Sequence, residues 1–326
     1  MHDRPPPVLQ RLVWRLEWLG VRGVSLLLQT FPPEAGDAFV RGLGRVYRRL
    51  DASRRGTVLE NLRLVYGDTL SAAERKRLSV AAFEHAFVIL FEAVQRRRLV
   101  HDLRSFRRRS RVVGDGDLVR EDVREGRGCF LLTAHIGNWE VAGAYLDYEG
   151  IPFAAVSRAV PNPYVQAHLM STRRPTFEIF EKRGAVRGSL RAAQEGKWVT
   201  VLGDQNAGKH GVFVPFFGIP ASTFPILASL AIRHDVTLYF GAAIRKGPRI
   251  AYDMHIVRYR PPATPGTDPV IDVLRGYHAW LEDMIRLYPE QYFWMHRRWK
   301  TRPPGELPGP RTPRYEHKAR REPVEA

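Results

Sequence analysis

The chain has 326 residues, of which 44% are hydrophobic, so it is long enough for one large α/β domain or two small ones with a real core. It contains 51 lysines and arginines against 34 acidic residues, and the formal net charge of +17 favours anionic partners such as nucleic acid, anionic headgroups or an acidic protein. The single cysteine, Cys129, excludes an intrachain disulfide framework and a cysteine-based zinc site.

Residues 8–31 show the pattern of an amphipathic helix. Leucines and valines recur at helical spacing, Trp14 and Trp18 stand among them, and Arg11 and Arg15 interrupt them. The longest uncharged part is shorter than the roughly 20 residues that a helix needs to cross a bilayer. The pattern therefore predicts an interfacial helix with its apolar side in lipid and its arginines at the headgroups. An ordinary surface helix packed on the core is the alternative.

Three further helical patterns follow in the first third of the chain, at 35–50, 54–66 and 71–98. Ser71 and Glu74 have the spacing of a capping box, which marks the start of the last of these helices. Residues 1–110 are therefore predicted as a helical N-terminal region.

From about residue 129 the pattern alternates between strands and helices. Strands are predicted at 129–134, 153–157, 177–180, 198–202, 236–244 and 250–258. Helices are predicted at 138–149, 162–173, 185–195, 225–234 and 269–288. Such alternation predicts an α/β core over residues 111–302, with a mixed, mostly parallel central sheet flanked by helices. Residues 303–326 are rich in proline and charge and are predicted to be a disordered tail.

His135 and Glu140 lie where the first of these strands turns into a helix. His135 ends the strand, Gly137 allows the loop to turn sharply, and Asn138 is placed to cap the helix. Glu140 falls in the first helical turn, where free backbone N–H groups and the helix dipole stabilise a carboxylate. A histidine that contacts a carboxylate is a candidate general base. A structural histidine beside an ordinary N-terminal glutamate is the alternative.

Two more strand ends carry polar side chains. Arg158 closes the second predicted strand, and Asp204 and Gln205 follow the fourth. Open α/β sheets bind ligands outside the carboxyl ends of their strands, so we expect His135, Arg158 and Asp204 to share one cleft. Simpler interpretations exist, since Arg158 could be a solvated loop cation and Asp204 could only cap a turn.

These residues belong to five blocks that together resemble the bacterial lipid A biosynthesis acyltransferases of the lauroyl/myristoyl transferase type, a family that includes the phosphatidylinositol mannoside acyltransferases. The blocks are His135–Glu140, Arg158 with Asn162-Pro163, Gly203–Asn206, Val212–Ala221 and Tyr292–Pro303. The first looks like the family's His-x4-Asp/Glu motif, and five ordered blocks are far more specific than one motif. Family members of the lipid A type often begin with a spanning helix, which the pattern at 8–31 does not predict.

The resemblance implies a glycerolipid acyltransferase-like fold and transfer of an acyl chain from a thioester to a hydroxyl of a glycolipid. It implies that His135 takes the proton of that hydroxyl and that Glu140 orients the imidazole ring, with no metal and no organic cofactor. The donor is expected to be an acyl carrier protein or coenzyme A. The acceptor is expected to be a lipid A precursor or another polar lipid, such as a phosphatidylinositol mannoside. The expected location is the cytoplasmic face of the bacterial inner membrane, with the protein peripheral or monotopic.

The same resemblance suggests roles for the other polar residues. Arg158 is expected to stabilise developing negative charge or to bind an acceptor phosphate, and Asp204 is expected to support His135 or to order its own loop. Gln205 and Asn138 complete the predicted substrate-binding set.

The stretch His210–Ile232 contains no Asp, Glu, Lys or Arg, and its length alone would suggest a membrane-spanning helix. Three prolines and two glycines argue against a continuous helix and favour a strand over 212–217, a turn, and a helix over 225–234. Three aromatic side chains of this stretch are expected to line an acyl-chain groove or touch the membrane, with plain core as the alternative: Phe213, Phe216 and Phe217.

Arginine clusters at 96–98, 107–109 and 297–302 account for part of the positive charge. No nucleic-acid-binding signature accompanies them, so a membrane or an acidic carrier protein is the favoured partner and nucleic acid is not expected. A hydrolase, in which water replaces the acceptor hydroxyl, and a non-enzymatic protein that binds anionic membranes are the alternative functions. The chain has no Gly-x-Ser-x-Gly motif, which counts against a serine hydrolase.

Overall fold

The structure, a computed structural model, describes residues 7–99, 104, 107–108, 110–157, 160–171, 178–180, 184–247, 251–307 and 309–315. Arg158 lies outside these residues, so the role predicted for it stays a prediction. The described chain forms a helical N-terminal region followed by an α/β core, which confirms the predicted fold class.

Four long helices build the N-terminal region: α1 Val8–Thr30, α2 Pro33–Leu50, α3 Ala52–Tyr66 and α4 Ala72–Leu99. The predicted capping box of α4 is confirmed. The backbone N–H of Ser71 donates to Glu74 Oε2 at 2.7 Å, and the backbone N–H of Glu74 donates to Ser71 Oγ at 3.2 Å. α4 contacts the three other helices and the core, so it is the central helix of this region.

Part of α4, Ala72–Gln95, is long and apolar enough to cross a membrane, and no other helix within the described ranges is. Its most apolar window is 50% buried inside the fold. The core helix of a soluble protein meets the same criteria of length and composition, so this segment is weak support for a membrane span.

Strands and helices alternate through the core. In chain order the elements are β1 Ser110–Gly114, α5 Gly116–Arg124, β2 Cys129–Thr133, α6 Trp139–Tyr148, β3 Phe153–Val156, α7 Pro163–Ser171, β4 Glu178–Phe180, α8 Ala185–Gln194, β5 Trp198–Leu202, β6 Val212–Phe216, β7 Ile219–Thr223, α9 Ile226–His234, β8 Leu238–Arg245, β9 Tyr252–Arg258 and α10 Pro269–Leu287.

Seven of the strands form one sheet in the order β1-β9-β8-β2-β5-β3-β4. Neighbours pair in parallel except for β8 and β9, which are antiparallel. β2 lies at the centre and is buried at every position, which explains its continuous apolar sequence. β2, β3, β5 and β8 point their carboxyl ends at the same edge of the sheet, so residues that follow these strands meet there.

Two parts of the fold differ from the sequence interpretation. Residues 110–128 carry no predicted element, yet they form β1 and α5, because a partly exposed edge strand of five residues is too short to stand out as a pattern. The apolar stretch after β5 is an antiparallel hairpin of β6 and β7, with Phe217 (φ 52°) and Gly218 (φ 70°) in its turn. The sequence pattern did not predict β7 because this strand contains Pro220, and proline is unusual within strands.

The segment 309–315, predicted to be part of a disordered tail, packs against the helical region instead. Arg311 donates to the backbone carbonyls of Leu64, at 3.1 Å, and of Phe217. Tyr315 donates its hydroxyl hydrogen to Asn61 Oδ1 at 2.6 Å. The prediction of disorder was made from composition, which gives no sign of such long-range contacts. Residues 316–326 lie outside the described part of the chain.

Candidate active site

The register of two central strands brings His135 and Asp204 together. Thr133 of β2 pairs with Leu202 of β5, and the two polar residues each lie two positions further along their chains. The backbone N–H of Gly203 donates to the Thr133 carbonyl at 2.9 Å and extends the parallel pairing into the loops. His135 Nδ1 then lies 2.8 Å from Asp204 Oδ1. The expected meeting of these two strand ends is present in the structure.

The environment of Asp204 keeps its carboxyl group ionised. Its side chain is only 3% exposed, and this burial on its own would raise the pKa. The charge of the His135 ring, its hydrogen bond and the more distant Arg298 outweigh that effect and hold the pKa of Asp204 below its usual range. An ionised carboxylate accepts the hydrogen of Nδ1, which leaves Nε2 of the ring as the nitrogen that can accept a proton.

The second ring nitrogen of His135 faces a partly open environment. The His135 side chain is 20% exposed, and Gln205 Nε2 lies 3.4 Å from its Nε2. Trp139 and Phe293 flank the ring, with centroids 5.0 and 6.0 Å from the imidazole. The ring is therefore fixed on its buried side and accessible on the other, which is the geometry that a general base needs.

Glu140 shares a cavity wall with His135. It lies in the first turn of α6, whose predicted cap is confirmed, because Asn138 Oδ1 accepts from the backbone N–H groups of Glu140 and Val141 at 3.1 Å each. The hydrogen bond that fixes the His135 ring goes to Asp204 rather than to Glu140. A direct pairing of His135 with Glu140 stays a prediction.

Asn138 positions the loop after β2 from within the protein. Its side chain is fully buried, its oxygen caps α6, and its Nδ2 donates to Glu92 Oε2 at 2.6 Å. Both ends of the amide are therefore engaged. This geometry supports a positioning role, and it does not support the substrate contact predicted from the sequence.

The helix α4 holds the back of the same loop. Glu92 accepts from Asn138, from Arg245 Nε at 2.7 Å and from the Tyr252 hydroxyl. Two turns earlier, His85 Nε2 lies 2.9 Å from the carbonyl oxygen of Gly137. Burial lowers the pKa of His85 to about 4, so at neutral pH its ring is uncharged and donates to that carbonyl. Sequence reasoning missed these residues because 46 to 160 positions separate the partners.

The C-terminal block encloses the opposite side of the site. The backbone N–H of Phe293 donates to the His135 carbonyl at 2.8 Å, and His296 Nε2 accepts from the backbone N–H of Asn206 at 2.9 Å. Asn61 of α3 in turn donates to the carbonyls of Trp294 and His296, at 2.7 Å each. The segment after α10 is thus tied both to the loop after β2 and to the loop after β5.

A cavity of about 460 Å³ opens beside His135 and Glu140, between the sheet and the helices α5 and α6. This volume is within the range of about 300–1,000 Å³ typical of ligand sites. Its wall is mostly apolar and includes Val119, Val123, Leu131, Leu146, Phe153, Val156, Leu202, Met254 and Ile256. The spacing of Val119 and Val123 on one helical face is the signal that could have indicated this wall from the sequence.

The phenylalanines predicted for an acyl-chain groove lie elsewhere. Phe216 is fully buried and stacks on Trp299, and Phe217 is only 9% exposed and contacts Phe216. Phe213 is partly buried on β6, and none of the three lines the cavity. For Phe216 and Phe217 the alternative, plain core, is the structure observed. Among the residues that the structure describes, no group of three or more His, Cys, Asp or Glu is placed to hold a metal ion.

An α/β sheet with a histidine–aspartate pair at its carboxyl edge, beside an apolar cavity, defines a class of protein suited to proton transfer next to an apolar ligand. Comparison with known proteins then gives the family. The model of the bacterial lipid A biosynthesis acyltransferases matches residues 6–301, and the chain belongs to this family. The resemblance inferred from the five sequence blocks is confirmed.

Three relatives illustrate the similarity. The chain is 27% identical over 296 residues to the lipid A biosynthesis lauroyltransferase of Escherichia coli K12, covering 89% of this chain and 93% of the relative. It is 26% identical over 301 residues to the lipid A biosynthesis myristoyltransferase of the same organism, covering 89% and 88%. A phosphatidylinositol mannoside acyltransferase of Mycobacterium tuberculosis is 27% identical over 137 residues, covering 40% and 43%.

Proposed function

We propose that this acyltransferase moves a fatty acyl chain from an acyl thioester to a hydroxyl group of a glycolipid that resembles a lipid A precursor. The observation that carries the proposal is the 2.8 Å contact between His135 and Asp204 beside the apolar cavity. The near full-length similarity to two lipid A acyltransferases favours this acceptor. A phosphatidylinositol mannoside is the second candidate acceptor, since one relative is a phosphatidylinositol mannoside acyltransferase. It ranks second because that relative matches a shorter part of the chain.

In the proposed mechanism Asp204 holds Nδ1–H and His135 Nε2 removes the proton from the acceptor hydroxyl. The hydroxyl oxygen forms a bond to the thioester carbonyl carbon, and the carbonyl π electrons move to its oxygen. Collapse of this intermediate breaks the C–S bond, and the imidazolium returns its proton to the leaving thiolate. The products are an ester and a free thiol, so the protein ends in its starting protonation state.

Glu140 and Gln205 have separate roles in this mechanism. Glu140 lies in the cavity wall, where its negative charge stabilises the imidazolium that forms on His135. Gln205 Nε2, 3.4 Å from His135 Nε2, marks where a polar group of the substrate approaches the base. Arg158 belongs to the proposal as the cation for the developing oxyanion or for an acceptor phosphate.

The apolar cavity is proposed to hold the acyl chain. Its wall combines side chains of the sheet with those of α5 and α6, and its polar residues include His135 and Glu140. An acyl chain buried there would place its thioester carbonyl near the base, since the carbonyl is the polar end of an otherwise apolar group. The preferred length of the acyl chain would then depend on the size of the side chains that line the cavity.

The helix α1 is proposed to lie at the surface of a membrane. Only two of its residues, Ser25 and Leu28, are buried. Its exposed apolar side chains include Val8, Leu9, Leu12, Leu16, Leu19, Val24, Leu26 and Leu27, each more than half exposed. This exposure is larger than an ordinary surface helix needs, and the exposed Arg11 and Arg15 fit anionic headgroups. We place the protein at the cytoplasmic face of the inner membrane, where it can meet a soluble acyl thioester.

The proposal is tested with purified protein in detergent. Lauroyl and myristoyl thioesters of an acyl carrier protein and of coenzyme A are each offered with a lipid A precursor and with a total polar lipid extract. Ester products are followed by mass spectrometry. We expect a lipid mass increase of one acyl group, and the basic surface favours the acidic carrier protein as donor.

Two variants control this assay. The increase should disappear in His135→Ala and persist in His234→Ala, since His234 is exposed at the end of α9. Free fatty acid without acylated lipid would identify a thioesterase and overturn the proposal. Acylation only in the polar lipid extract, at a phosphatidylinositol mannoside, would replace the acceptor and retain the chemistry.

A further inference from the structure

A second cavity, of about 680 Å³, lies among the starts of α3 and α4, the end of α2 and the C-terminal segment. We call it the basic cavity. Six cationic side chains line it: Arg48, Arg55, Arg63, Arg75, Lys76 and Arg314. Glu60 is the acidic residue of this lining, and it is already paired with Arg63 at 2.8 Å. The wall therefore has a large excess of positive charge that the acyl-transfer mechanism does not use.

Arg48 is the unusual member of this set because it is buried without a carboxylate. It is 9% exposed, and its Nε donates to Ser79 Oγ at 2.9 Å. No carboxylate in the described ranges forms an ion pair with it. The other buried arginine of the helical region's interface, Arg245, has both Asp37 and Glu92 within 2.8 Å. Burying a cation without a counter-charge is costly, so an anion bound in the cavity would stabilise Arg48.

Two of the surrounding cations, Arg55 and Arg75, are held in place by neutral groups. Arg55 donates to the carbonyls of Arg48 and Arg49, at 3.0 and 2.9 Å, and Arg75 donates to the Gly67 carbonyl at 2.6 Å. These bonds orient the guanidinium groups but leave their charges uncompensated. Burial, together with the charges of Arg55 and Arg49, lowers the pKa of Arg48, which is the effect expected where positive charges crowd one another.

Phosphate is the anion that fits this arrangement best. The guanidinium fork matches phosphate oxygens, and charge-assisted hydrogen bonds of this kind are the strong ones. A concave site with its arginine at the base admits a small, highly charged group more readily than the flat face of an acidic protein. We propose that the basic cavity binds a soluble ligand that carries at least two phosphate groups, with Arg48 at its base.

The position of the cavity favours a soluble ligand over a lipid headgroup. Arg75 and Lys76 lie near the start of α4, and α1 is attached near Gln95, about 30 Å further along the helix at 1.5 Å per residue. If α1 lies on the membrane, as proposed above, the basic cavity lies at the opposite end of α4 from the point where that helix is attached. The preference for a soluble ligand over a lipid headgroup rests on the membrane position proposed for α1, whereas the phosphate site itself does not.

The test uses the full-length protein in detergent, titrated by calorimetry with inorganic pyrophosphate and with ATP, and with sulfate at equal ionic strength. Arg48→Gln is compared with Arg49→Gln, since Arg49 is the exposed neighbour that does not line the cavity. We expect saturable binding that weakens about tenfold or more in Arg48→Gln, and that changes less than about twofold in Arg49→Gln.

A second pair of variants covers the case in which Arg48→Gln fails to fold. Lys76→Gln removes an exposed cation of the wall, and Arg77→Gln removes an equally exposed cation outside it. Lys76→Gln should weaken binding severalfold and Arg77→Gln should leave it unchanged. Equal weakening in both members of either pair, or equal binding of sulfate, would overturn the proposal as non-specific attraction of an adventitious ion only.

Two further measurements distinguish a soluble phosphate ligand from a lipid headgroup, and the basic cavity from the proposed acyl transfer. Binding to phosphatidic acid vesicles that depends on Arg48, without binding of pyrophosphate or ATP, would identify a lipid headgroup and overturn the soluble ligand. Acyl transfer is measured on the same preparations. A protein that transfers acyl chains normally but binds no phosphate compound refutes the basic cavity site and leaves the proposed function standing.

Discussion

The loop after β2 has a histidine on each of its two sides, in different chemical settings. We call the side that faces the apolar cavity the front and the side that contacts α4 the back. At the front, His135 contacts the buried carboxylate of Asp204 and faces the apolar cavity. At the back, His85 donates to the Gly137 carbonyl in a site whose burial lowers its pKa to about 4. A histidine beside a carboxylate can gain a proton during a reaction, whereas one buried against a carbonyl is held neutral. The front should therefore govern catalysis and the back should govern stability.

The largest effect is expected at the front. His135→Ala should lower kcat/KM for acyl transfer by about 10²–10⁴-fold, the usual contribution of a general base. Its melting temperature should also fall, because the buried Asp204 carboxylate loses its hydrogen-bond partner, so activity is compared at a temperature at which the variant is folded. The two quantities are measured by product mass spectrometry and calorimetry. A variant that keeps nearly full activity would show that another group is the base.

At the back, Glu92→Gln should act mainly on folding. Glu92 is 1% exposed and pairs with the buried Arg245, and removing one partner of a buried ion pair typically costs about 3–5 kcal/mol. Glu84→Gln is the matched control, since Glu84 pairs with the more exposed Arg41 and Arg45 and should cost about 0–1 kcal/mol. Denaturant unfolding measures both. Equal losses in the two variants would contradict a special role for the back of the loop.

Two carboxylates at the front can be ranked against each other. Asp204→Asn should reduce acyl transfer more than Glu140→Gln does, because Asp204 fixes the ring through Nδ1 at 2.8 Å, whereas Glu140 lines the cavity wall that His135 also lines. Glu140→Gln should in turn reduce the rate of acyl transfer less than His135→Ala does. Initial rates at saturating donor measure the order. If Glu140→Gln were the more damaging change, Glu140 would be the principal partner of the base.

The smallest single-residue effect on stability is expected for His85, in the pH dependence of unfolding. Burial lowers the pKa of His85 and His296 to about 4 and that of His278 to about 3, against about 6.5 in an unfolded chain. The folded state thus binds fewer protons, so stability is fully present above pH 6.5 and is lost as pH falls towards 4. His85→Gln should flatten this slope in unfolding measurements between pH 8 and 4.5. An unchanged slope would show that His85 is not one of the titrating groups.

The sequence alone predicted that the strand ends of His135 and Asp204 would meet at the front of the loop, but it did not predict the contacts at the back. His135 and Asp204 follow apolar strands that can be recognised, and parallel pairing brings such strand ends together. Glu92 and His85 lie within an apolar helical run, where nothing local marks a polar contact with a distant loop. Cavity walls are equally hidden, because they combine several segments, including the unpredicted β1 and α5. Aromatic residues such as Phe216 show the reverse error, since an apolar pattern does not distinguish core from groove.

The helix α4 also receives the N-terminal helix at the same end that supports the loop. Gln95 Nε2 donates to the carbonyls of Leu28 and Phe31 at 2.8 and 3.1 Å, and His85 and Glu92 lie within the ten preceding residues, a span of about 15 Å. α4 therefore connects α1, the helix proposed to lie on the membrane, to the loop that carries His135. A change in the tilt of α1 on a bilayer would therefore act on α4. Because α4 also contacts the loop after β2, it would reach the backbone next to His135.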